Sequence, residues 1–138
     1  DYAAMLATGL TDLMTSLTPA RRMLIVGPVP ELKHPVKNCL QRAQLTGQPP
    51  QSCAVARADV ERRHRETWQA LRSVVAKFPN ARLIDPVEAV CDRETCWPFG
   101  PKGLLYLDKD HLSPLGTEML YRHFEGDFRW VYGDSPAR

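Results

Sequence analysis

The sequence predicts an α/β fold with a parallel sheet, and three observations carry that expectation. Leu6, Leu10, Leu13, Met14 and Leu17 fall at i, i+4, i+7, i+8 and i+11, one stripe of an amphipathic helix over residues 2–17. Met23-Leu24-Ile25-Val26 is an unbroken apolar run between Arg22 and Gly27, suited to a strand covered on both faces. The order helix, strand, helix, strand, helix then continues along the chain, the pattern of helices layered on a parallel sheet. The 138 residues suit one domain, residues 1–138, with room for a core.

Thr18-Pro19 ends the first helix, and the prolines of Gly27-Pro28-Val29-Pro30 turn the chain out of the sheet. Residues 31–57 read as a long loop with a short helical turn near residues 36–40. Over residues 59–78, Val60, His64, Trp68, Leu71, Val75 and Phe78 share a helix face, with Asp59 as N-cap and Arg62 and Glu66 paired on the wet side. Pro79-Asn80 breaks that helix. Residues 82–85 form a second short strand, ended by Pro86, and residues 87–90 a helical turn. Trp97-Pro98-Phe99-Gly100 is a turn, and residues 104–107 a third short strand. Ser113 caps a last helix with Pro114 at its first position, running to about Phe124 with Leu115, Met119 and Phe124 inward. Trp130-Val131-Tyr132 lies in a tail without an assigned structure.

Charge narrows the function classes. Lys and Arg number 18 against 16 Asp and Glu, too balanced for a nucleic-acid or acidic-membrane binder. No apolar run approaches the ~20 residues of a membrane span. The four cysteines form two local pairs, Cys39 with Cys53 and Cys91 with Cys96. Local pairing is the simplest of three connectivities, each bridge closing one loop, and it favours an oxidising compartment. Zinc is the alternative, although neither pair has a two-residue spacing. Free buried thiols are the plainest option.

The chemistry-bearing stretch is Asp108-Lys109-Asp110-His111, at a polar corner after Leu104-Leu105-Tyr106-Leu107. Asp108 is placed to accept the His111 Nδ1–H and leave Nε2 as a base, the orienting half of a Ser-His-Asp device. The plain reading is that Asp108 and Asp110 cap the turn and His111 is merely exposed. A metal on Asp108, Asp110 and His111 lacks further ligands at useful spacing, so neither metal nor cofactor is expected. No convincing nucleophile accompanies the pair. Ser16 and Ser73 lie in helices, Ser52 beside Cys53, and Ser113 serves as a cap. Gly133-Asp134-Ser135 has the look of a nucleophile block after a strand-like 128–132, but three residues are too few for the helix such a serine needs. It reads as a coincidental match. Trp97 and Phe99 either line a pocket or, the favoured reading, cover the core edge. Of the other histidines, His64 is expected packed, and His34 and His123 solvated.

Asp108-Lys109-Asp110-His111-Leu112-Ser113 with Gly116, and the strand entering Gly27-Pro28-Val29-Pro30, resemble the back half of an SGNH hydrolase domain. They resemble more closely the SGNH domain fused behind the membrane segment of acyltransferase-3 proteins. Cys91 and Cys96 before the last strand, and Tyr106 ahead of Asp108, fit that subtype. The resemblance covers most of residues 2–124. It implies a three-layer, flavodoxin-like α/β/α fold, incomplete at its N-terminal side, with Asp108 as triad acid and His111 as base. The family's Gly-Asp-Ser nucleophile block and its Gly and Asn oxyanion donors precede the matched portion. Together with the opening Asp1-Tyr2, this makes the chain read as an excised piece, truncated before residue 1 and silent alone.

The resemblance further implies a periplasmic domain of a bacterial inner-membrane protein, with a membrane acyltransferase domain N-terminal in the same polypeptide. That parent would move an acyl group, through an acyl-serine, from a donor to a carbohydrate hydroxyl. A bare sheet edge would pair with a second copy. The alternatives are a non-catalytic module binding glycan or a partner chain, and a secreted SGNH esterase.

Overall fold

The computed structural model describes residues 1–17 and 21–133, so the Ser135 reading lies outside the described residues. The chain forms two compact units. One comprises residues 1–27, 63–84 and the segment from Phe124; the other comprises residues 28–62 and 85–123.

In the first unit, β1 (Met23–Val26) and β3 (Ala81–Ile84) pair in parallel, Met23 opposite Ala81 and Val26 opposite Ile84. Helices α1 (Tyr2–Leu17) and α4 (Arg65–Val75) pack on each other, and buried Met14, Met23 and Val74 form the centre of the core with Leu10, Ile25, Phe78 and Ala81 around them. Side chains alternate faces along a strand, so Arg82 lies opposite Ala81. There its guanidinium sits 4.3 Å from the Trp130 ring centroid and 2.9 Å from Asp127, both on helix α7 (Glu125–Tyr132). Helices therefore cover both faces of a two-stranded sheet, which is the expected α/β/α layering in small form.

Residues 125–132, left unassigned or strand-like by the sequence, thus form a helix. Glu125 and Asp127 in its first turn and Arg129 in its last complement the helix dipole, and Arg129 pairs with Glu125 at 2.7 Å. The predicted 59–78 helix is two, α3 (Arg57–Arg63) and α4, because the chain leaves helical geometry at His64. Asp59 consequently sits inside the first turn of α3 and binds Arg62 at 2.5 Å, so Arg62 pairs backwards rather than with Glu66.

In the second unit, the long loop contains an eleven-residue helix, α2 (Val36–Thr46), stopped by Gly47 in left-handed geometry at φ 68°, and a 3₁₀ turn at Pro50–Cys53. Both cysteine pairs are disulfides, Cys39–Cys53 and Cys91–Cys96, and no cysteine is free. The first ties α2 to the 3₁₀ turn. The strands here are two residues long: β2 (Val55–Ala56) pairs with β4 (Thr95–Cys96), and β5 (Phe99–Gly100) with β6 (Gly103–Leu104). Helix α5 (Pro86–Val90), capped by Asp85 at 2.9 Å, packs on α6 (Pro114–His123). The core gathers Leu32, Val36, Val55, Val60, Val87, Cys96, Leu105 and Tyr106.

The expected strand at 104–107 does not join the parallel sheet. Leu104 pairs into a hairpin and Tyr106 bridges Leu112 antiparallel, because the polar corner between them reverses the chain at once. Gly116 fixes where that segment lies. A Cβ there would stand 2.2 Å from the Leu105 carbonyl oxygen, whereas one at Gly126 on α7 would meet nothing within 4 Å.

Gly116→Ala should therefore lower stability by about 1–3 kcal/mol as the backbone yields. Gly126→Ala should raise it by about 0.5–1 kcal/mol through helix propensity. Urea denaturation of the two variants checks both signs.

Candidate active site

The corner is built by one carboxylate. Asp108 Oδ1 accepts the backbone N–H of Asp110 at 2.9 Å and of His111 at 2.8 Å, an Asx turn that closes the loop. Its Oδ2 lies 2.8 Å from His111 Nδ1. Leu107 N–H donates to the His111 carbonyl at 2.8 Å, completing the reversal. The plain and the chemical readings of Asp108 are thus both realised by the same side chain.

Neighbouring elements hold the corner in place. Leu32 N–H donates to the Lys109 carbonyl at 2.8 Å and Val36 N–H to the Asp108 carbonyl at 3.2 Å. Lys109 Nζ meets Glu31 at 2.6 Å. Buried Tyr106 donates its hydroxyl to the Pro30 carbonyl at 2.9 Å, and burial pushes its pKa upward. On the far side, Ser113 caps α6. Its hydroxyl donates to the Leu104 carbonyl at 2.7 Å and accepts the Gly116 N–H at 3.1 Å.

Electrostatics assign the proton. The two backbone N–H groups, and then His111, hold Asp108 well below the usual carboxylate range. An ionised carboxylate only accepts, so Nδ1 carries the hydrogen and Nε2 is the basic nitrogen. Asp108 raises the His111 pKa through its hydrogen bond and charge, and Asp110, whose Oδ1 is 3.2 Å from Nδ1, raises it further. The imidazole is 72% exposed. A raised imidazole pKa favours folding below the ordinary histidine value, and that contribution fades as pH rises through the higher folded value.

Asp110 thus joins Asp108 in facing the imidazole, a part beyond the turn cap expected of it, and one that the D-x-D-H spacing signals. Among the described residues, Asp108, Asp110 and His111 bring donor atoms within 4.8 Å of one another, close enough to share a metal ion. Oδ1 is engaged in the turn and Oδ2 faces a protonated Nδ1, so a cation sharing Nδ1 would have to displace that proton. Ser113 is committed to its cap. Ser16 and Ser73 donate to carbonyls of their own helices, Leu13 and Ala70.

Trp97 and Phe99 do line a concavity, an apolar cleft of about 550 Å³ shared with Val90, Leu105 and Met119. Asp92 locks Trp97 by accepting its indole N–H at 2.7 Å. His64 is half-buried at the break between α3 and α4, and His34 and His123 are exposed.

A family model for SGNH domains fused to AT3 domains matches residues 1–126. The chain belongs to that family. The solved periplasmic domain of a lipopolysaccharide acetyltransferase from Salmonella ser. Paratyphi A shares its fold, with a TM-score of 0.68 at 15% identity. The match covers 91% of this chain and 50% of that one, so the chain spans about half the length of its solved relative. None of the curated proteins compared with it matches in sequence. In this SGNH domain no described helix is long and apolar enough to cross a membrane.

Asp108→Asn keeps an oxygen for the two backbone N–H groups but removes the charge facing Nδ1. The His111 pKa should fall toward its ordinary value, and Asp110→Asn should lower it less. Following the imidazole Hε1 shift by NMR across pH measures both.

Proposed function

We propose that this SGNH domain supplies the acid–base half of an O-acyl transfer site. His111 Nε2 takes the proton of a serine hydroxyl as that oxygen attacks an acyl donor, and returns it to the leaving group. Asp108 holds the imidazole in the productive tautomer and stabilises its cation. The acyl-serine then passes its acyl group to a carbohydrate hydroxyl, with His111 now deprotonating the acceptor. The observation that carries this reading is the 2.8 Å contact between an ionised Asp108 and Nδ1, with Nε2 exposed, in a chain of the AT3-fused SGNH family.

None of Ser16, Ser73 and Ser113 is available as nucleophile, since each hydroxyl is donated to a backbone carbonyl. In the reading we propose, the serine and the oxyanion donors come from outside the described residues, as part of a polypeptide that also carries an AT3 membrane domain. The two disulfides and the periplasmic setting of the solved relative support a periplasmic location.

In cells carrying the whole protein, His111→Ala and Asp108→Asn should each reduce O-acylation of surface carbohydrate by at least about 10²-fold at unchanged protein level. The isolated 138-residue chain should hydrolyse p-nitrophenyl acetate no faster than equimolar imidazole. Unchanged O-acylation in the His111→Ala strain would refute the role of the corner and leave a binding module. Esterase activity of the isolated chain that disappears in Ser135→Ala would instead make Ser135 the nucleophile.

A further inference from the structure

The chain is near charge balance as a whole, yet from residue 32 to residue 58 it contains no Asp or Glu. That stretch carries Lys33, Lys37, Arg42 and Arg57 as well as His34. Arg57 is neutralised by Glu61 and Glu88. Lys33, His34 and Arg42, though not Lys37, line a small pocket of about 200 Å³ in the second unit. Lys33 and His34 from the loop before α2, Arg42 and Thr46 from α2, and Gln48 and Ser52 from the following loop and 3₁₀ turn line it. None of its lining residues is acidic. The Cys39–Cys53 disulfide forms part of the wall and fixes the distance between the helix and the 3₁₀ turn.

We propose that this pocket binds an oxyanion, the carboxylate or phosphate carried by an acidic sugar. Its lining offers three kinds of donor: the Lys33 ammonium, the planar Arg42 guanidinium fork, and the Ser52 hydroxyl and Gln48 amide, the Thr46 hydroxyl being donated to the Arg42 carbonyl. That is the donor set that matches a carboxylate or phosphate, with the guanidinium able to bind two oxygens at once. The position gives the pocket a role. The loop holding Lys33 and His34 is the one whose flanking residues Leu32 and Val36 donate to the Lys109 and Asp108 carbonyls. An anion held there is tied through two backbone hydrogen bonds to the segment that carries His111.

That the anion belongs to a carbohydrate rests on the acyl-transfer reading; that the pocket takes an oxyanion does not. Titration of the isotopically labelled 138-residue chain with glucuronate, glucose 1-phosphate, methyl glucoside and inorganic phosphate tests it at low salt. Amide shifts at Lys33, Arg42 and Gln48 are expected with the two charged sugars and not with methyl glucoside. Arg42→Ala and Lys33→Ala should each weaken binding about tenfold, with the circular dichroism spectrum unchanged. Arg42→Lys should retain part of it. His111→Ala should leave binding intact, so the pocket stands or falls separately from the catalytic proposal. Shifts with inorganic phosphate but with neither sugar overturn the acidic-sugar assignment. Equal shifts with methyl glucoside, or none with any anion, overturn the site.

Discussion

The candidate site depends on a single carboxylate whose two oxygens have different duties. Asp108 Oδ1 folds the turn by taking two backbone N–H groups, and Oδ2 faces the imidazole that the turn has just delivered. The geometry is self-consistent because His111 supplies both a backbone donor and the ring. The distance from carboxylate to imidazole is therefore set by the loop's own covalent length. The same two backbone bonds keep Asp108 ionised, which fixes the tautomer. Structure and acid–base chemistry share one cause here, and a substitution that removes the carboxylate removes both.

The corner would still wander if the turn were its only anchor, because neither strand beside it belongs to a sheet of any size. The β5–β6 hairpin pairs only two residues of each strand. Rigidity comes from elsewhere: Tyr106 buried and bonded to Pro30, the Ser113 cap, the absence of a side chain at Gly116, and backbone bonds from Leu32 and Val36. Cys53 and Cys96 are themselves buried. In a unit with so little sheet, the disulfides add constraint on the unfolded chain that short strands do not supply.

Much of this was legible in the sequence. The helix over residues 2–17, the runs that became β1 and β3, the Ser113–Pro114 helix start and the Asp108–His111 spacing all reflect short-range rules, although of the stripe read on that helix Leu10 and Met14 reach the core while Leu13 and Leu17 are exposed. Local pairing of the cysteines was also correct. The misreadings have different causes, some in contacts far along the chain and one in a local turn. Residues 128–132 look strand-like by composition, but Trp130 meets Arg82, 48 positions away, and Asp127 binds the same arginine. The break at His64 leaves Val60 in one core cluster and Val74 in another, where a continuous stripe promised one face. Leu104 to Leu107 have a strand's composition, but no periodicity records that an Asx turn would fold them back on Leu112.

The exposure of His111 limits what the corner achieves unaided. An ion pair open to water is screened and contributes modestly, and an imidazole whose pKa is raised by two neighbouring acids spends more of its time protonated, unable to act as a base. Orientation of a base is also a smaller contribution to acyl transfer than donors aimed at the developing oxyanion. A nucleophile brought against Nε2 would change both conditions together, excluding water from the pair and strengthening the Asp108–imidazolium attraction when the proton moves. The low activity expected of the isolated chain in the proposed reading thus follows in part from the high dielectric around His111. In the proposed reading the corner supplies an oriented base, and its strength would depend on what covers Nε2.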